Sequence, residues 1–154
     1  MFGTIGRMLG KKAVNSMAEL KKVEKKNLME AIVGASLLVA YSDGSCGDDE
    51  VLKLDELIRS NPALAHFGSE ISQTTNRISA QLKANFLVGR VHVKREIADI
   101  KNDKADAEEV FVNAIAMAQA DGEISTAEKG VLQEIGREFG LRLEGELRVD
   151  GRAV

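Results

Sequence analysis

The sequence predicts an all-α protein, a compact bundle of about seven helices with an internal pseudo-two-fold helix–acidic turn–helix repeat. Three observations predict it. Ala, Leu, Ile, Lys and Glu dominate, aromatic residues are only 4%, and Pro occurs once, at Pro62, a composition suited to helices. Apolar residues recur at three- and four-residue spacing, with no sustained period-two alternation. The segment Met117–Phe139 also repeats an earlier one displaced by 78 positions: Asp43 matches Asp121, Gly44 matches Gly122, Glu50 matches Glu128, Ala40 matches Ala118 and Leu54 matches Leu132. Each copy has an apolar run before the Asp-Gly and an amphipathic run after it, as expected when one supersecondary unit is duplicated and packed on its copy.

Taken in order, Met1–Gly10 carries Phe2, Ile5, Met8 and Leu9 at near-helical spacing, but Gly3, Gly6 and Gly10 weaken a helix there. A terminus that frays or packs on the core is one reading, and a basic amphipathic membrane contact is the other. Lys11 to Lys26 reads as a helix with a basic face. Asn27 is placed to cap the first core helix, whose stripe is Leu28, Ala31, Ile32, Ala35, Leu38 and Val39. After the first acidic turn, Val51, Leu54, Leu57 and Ile58 bury the next helix, which stops before Pro62. Ala63 to Phe67 reads as a short helical turn with a structural His66. Ser69 is placed to cap a helix carrying Ile71, Thr75, Ile78, Leu82 and Phe86, with Gly89 as its C-cap. Val91 to Ile100 follows, with Val93, Ile97 and Ile100 inward and His92 on the surface. Asp103 or Asn102 caps the next helix, where Val110, Phe111, Ala114, Ile115, Met117 and Ala118 are apolar nearly all round, predicting the central buried helix. Val131, Leu132, Ile135 and Phe139 bury the last helix, and Gly140 stops it. The chain thus divides into a basic segment (1–26), a helical domain (27–141) and a weakly ordered tail (142–154).

The acidic turns admit two readings. Asp-Gly followed six residues after the Gly by Glu is the second half of a calcium loop, in which Gly permits the turn, Asp supplies an oxygen and Glu grips the ion bidentately. The first half is missing: its acidic positions are Val39 and Tyr41 in one copy and Met117 and Gln119 in the other. Alternatively, Ser125-Thr-Ala-Glu128 is a capping box, and Asp48, Asp49 and Glu50 are first-turn acids favoured by the helix dipole. The two are compatible, since a Glu at the third helical position points back over the loop in both. The density of acids favours a divalent cation, most plausibly calcium, with Asp43, Glu50, Asp121 and Glu128 as ligands and Asp48, Asp49 and Glu123 supporting them on one acidic face. Carboxylates ~4 Å apart repel by about 1–4 kcal/mol per pair at surface-like dielectric, and a cation relieves that.

The segments Leu28–Gly44, Phe86–Gly89, Ala116–Ile124 and Glu134–Leu141, in matching order, resemble the TerB family of tellurite-resistance and stress-response proteins. The resemblance implies a helical pseudo-two-fold bundle with an acidic, metal-associated face and no established catalysis. Members often carry another acid just after the second Asp-Gly-Asp/Glu, where this chain has Ser125, Thr126 and Ala127, so the first half-site is the better equipped.

Other classes find little support. There is no phosphate-binding glycine loop, no nucleophile beside a base and no His/Cys cluster, so an enzyme is not expected. Basic residues without aromatic platforms argue against nucleic acid. A single cysteine, Cys46, forms no internal disulfide, and it reads as an exposed, non-catalytic thiol whose acidic neighbours disfavour the thiolate. The longest apolar run, Ala31–Tyr41, is too short to span a bilayer. Cytoplasmic placement follows as the expectation, with peripheral contact at the inner membrane face through the basic end. Residues 1–26 carry a net +5 and the remainder −8, so the basic end can meet anionic lipid, an acidic partner or the body itself. Two functions emerge: a stress-response protein that binds a cation and acts through protein partners, membrane-associated ones among them, or a metal-independent scaffold docking through its charged faces.

Overall fold

A computed structural model describes residues 25–44, 46–120, 122–144, 148–149 and 152–153. Six α-helices run through these residues: α1 (25–40), α2 (Asp48–Arg59), α3 (Ser69–Ala84), α4 (Phe86–Ala98), α5 (Lys104–Gln119) and α6 (Thr126–Phe139). A 3-10 turn at Ala65–Phe67 links α2 to α3. The basic segment through Glu24, with its expected helix, lies outside the described residues. Three two-residue strands follow α6: β1 (Leu143–Glu144), β2 (Arg148–Val149) and β3 (Arg152–Ala153), antiparallel, with Leu143 opposite Val149 and Val149 opposite Arg152.

The most enclosed helix is α1. Leu28, Met29 and every residue from Ala31 to Val39 are buried, Gly34 and Ser36 included. This corrects the expectation that Val110–Ala118 is the central helix. α5 buries Val110, Phe111, Ala114 and Ile115 but turns Val112 outward. Apolarity all round does not rank two helices; burial does, and it is continuous from Ala31 to Val39 in α1 but interrupted in α5. α3 lies between α2 and α4 and touches both, while α5 touches α2 and α6. Removing this apolar surface from water supplies the main drive for folding.

Helix starts follow local chemistry. Asn85 and Asp103 cap α4 and α5, accepting from the backbone N–H of Val88 and Asp106 at 3.1 Å. Ser69 is the first residue of α3, with Gly68 at the cap, and Asn27 lies inside α1. Gly140, left-handed, ends α6 as the sequence predicts.

Gly89 does not end a helix. α3 stops at Ala84, Asn85 adopts an extended backbone, and Gly89 lies in the first turns of α4. A Cβ built there would stand 3.0 Å from the Gln81 carbonyl, so this glycine serves close α3–α4 approach. A glycine needed for packing and one needed for a C-cap look alike in sequence.

Candidate functional site

The two acidic turns share their backbone path. In the first, Ser42 N–H donates to the Val39 carbonyl and Gly44 N–H to Tyr41, at 3.1 and 2.9 Å. In the second, Ala120 donates to Met117 and Gly122 to Gln119, at 3.3 and 2.9 Å. All four pairs are related by the 78-residue displacement. Gly44 and Gly122 take φ of +95° and +112°, a region that costs a side-chain-bearing residue dearly, which explains the Asp-Gly in both copies.

The missing half of the calcium loop has a structural explanation. Val39 and Met117 are buried in the core, and the Tyr41 hydroxyl is 2.9 Å from Ser79 Oγ in the interior. Helices α1 and α5 run through positions where a calcium loop would already be irregular.

The following helices begin differently. At α6, Ser125 Oγ accepts from Glu128 N–H at 3.1 Å, and Glu128 Oε1 accepts from Ser125 N–H at 3.0 Å. The predicted capping box is present. At α2 the cap is Gly47, with no side chain to contribute, and Glu50 faces the Cys46 thiol instead.

Cys46 is buried, not exposed, and its Sγ is 3.8 Å from the Gly47 carbonyl oxygen. Burial, followed by the nearby Glu50 carboxylate, pushes its pKa up to about 12, with Asp43 adding to the rise and Lys83 opposing it. The sequence reading had the acids' effect on the thiol right and its exposure wrong, because a buried cysteine behaves as a small apolar residue.

Of the expected ligands, Asp43 is exposed, and Glu50 and Glu128 are half-buried. Asp121 lies outside the described residues. Asp48, Asp49 and Glu123 are exposed, and Asp48 sits 3.6 Å from Lys83 Nζ. Asp43 and Glu50 both bear on Cys46, whereas Glu128 is tied to its cap. Among the described residues, no three His, Cys, Asp or Glu side chains are grouped to hold an ion.

A second feature went unread in the sequence. A cleft of about 110 Å³ opens between α1, α4 and α6, floored by Leu38, Phe86, Ile97, Val131 and Ile135. Arg90 and Lys94 of α4 both donate across it to the Glu134 carboxylate of α6. Burial alone would raise the Glu134 pKa; the bonds from Arg90 and Lys94 outweigh it and hold the carboxyl below its ordinary value. Arg90 and Lys94 are four residues apart, so their pairing on one face was legible once Gly89 is placed inside α4.

These features define a small helical domain with paired acidic turns. A family model described as "Tellurite resistance protein TerB" matches residues 29–145, and the chain belongs to that family. Searches of curated proteins and of solved structures found no match.

Proposed function

We propose that the protein is a non-enzymatic stress-response module of the tellurite-resistance type, cytoplasmic, which acts through protein partners and takes a divalent cation at its first acidic turn. A pseudo-two-fold bundle whose duplicated turns would share one acidic face is part of the proposal. The observation that carries the cation reading is the difference between the helix starts. Gly47 cannot form a capping box, which leaves Glu50 turned toward the Cys46 thiol, on which Asp43 also bears. Carboxylate oxygens of this kind suit a hard cation, with backbone carbonyls and water completing six to eight ligands for calcium. Asp43 and Glu50 would hold the ion, with Asp48 and Asp49 adding negative potential; Asp121, Glu123 and Glu128 form the weaker counterpart. The ion would neutralise the turn and change which partner docks there.

The capping box favours a second reading, in which the acids are helix starts and the charged faces recruit partners without metal. Calorimetric titration of metal-stripped protein with calcium, magnesium as control, separates the two. Saturable calcium binding that is lost in Asp43→Asn and Glu50→Gln, with the helical signal intact, supports the cation reading. Absence of heat and of thermal stabilisation at millimolar calcium sinks it.

A further inference from the structure

We draw no further inference here: the strongest candidate, the apolar cleft between α1, α4 and α6 with the exposed Leu87, Val88 and Val91 on α4, carries none, because Arg90 and Lys94 at its rim are already bonded to Glu134 and nothing in the structure shows what covers it.

Discussion

Two glycines inside α6 should respond to alanine with opposite signs. Gly130 is exposed, and a Cβ added there meets nothing within 4 Å. Gly130→Ala therefore gains the helix-propensity difference alone, about 1 kcal/mol. Gly136 is buried, and its Cβ would lie 2.7 Å from the Leu141 carbonyl oxygen and 3.2 Å from the Phe111 ring. The Leu141 carbonyl cannot simply swing aside, because the Leu141 N–H donates to the Gly136 carbonyl at 2.8 Å and pins the chain as it leaves the helix. Overpacking of a core costs about 1–3 kcal/mol and a backbone atom yields less than a side chain, so Gly136→Ala loses more than its propensity gain and falls ~1–2 kcal/mol below wild type. At about 2–4 °C per kcal/mol for a chain of this size, the two variants should melt several degrees apart, on either side of wild type. Thermal and urea unfolding followed by circular dichroism measures this. A Gly136→Ala protein as stable as Gly130→Ala would refute the described packing of α6 against Phe111 and the Leu141 turn.

Ser125→Ala should cost about 1 kcal/mol, since it removes the acceptor for Glu128 N–H at the start of α6; urea midpoints report it. Burial, only partly offset by Arg77 and reinforced by Glu30 and Asp99, raises the Glu96 pKa above its ordinary value. The folded state then holds that proton more tightly than the unfolded chain, so this contribution is present at low pH and is lost as pH rises through the folded value. Glu96→Gln should accordingly match wild type below about pH 4 and exceed it at pH 7, measured as the difference in melting temperature across pH. Cys46, raised from an ordinary 9.0 to about 12, should react with a disulfide reagent about a thousandfold more slowly in the native protein than in urea. Comparable rates would mean that the thiol is accessible.

Much of this architecture was legible in the sequence, where chemistry is local. Asp103 and the Ser125–Glu128 pair cap their helices as their types demand, and the Asp-Gly repeat announced two left-handed turns at Gly44 and Gly122. What escaped depends on partners distant in sequence. Gly89 gives no local sign that it faces Gln81, and the Cys46 neighbourhood of exposed acids concealed a side chain turned inward. The Glu134 clasp joins residues about forty positions apart, beyond any periodicity. The first acidic turn was readable as residue types, but its rearrangement around a thiol was not, since that follows from a glycine cap where the second copy has serine.

That divergence has a dynamic consequence. The start of α6 is fastened by two reciprocal bonds, so amide exchange at Glu128 requires release from Ser125 Oγ and exchange at Ser125 requires release from Glu128 Oε1. The start of α2 has no such side-chain fastening, and local fluctuation there costs only a few backbone bonds. Opening that turn would bring Cys46 to solvent and release Glu50 together. The two turns thus differ in how their following helices are fastened: one start is held by a reciprocal side-chain pair, and the other by backbone bonds to Gly47.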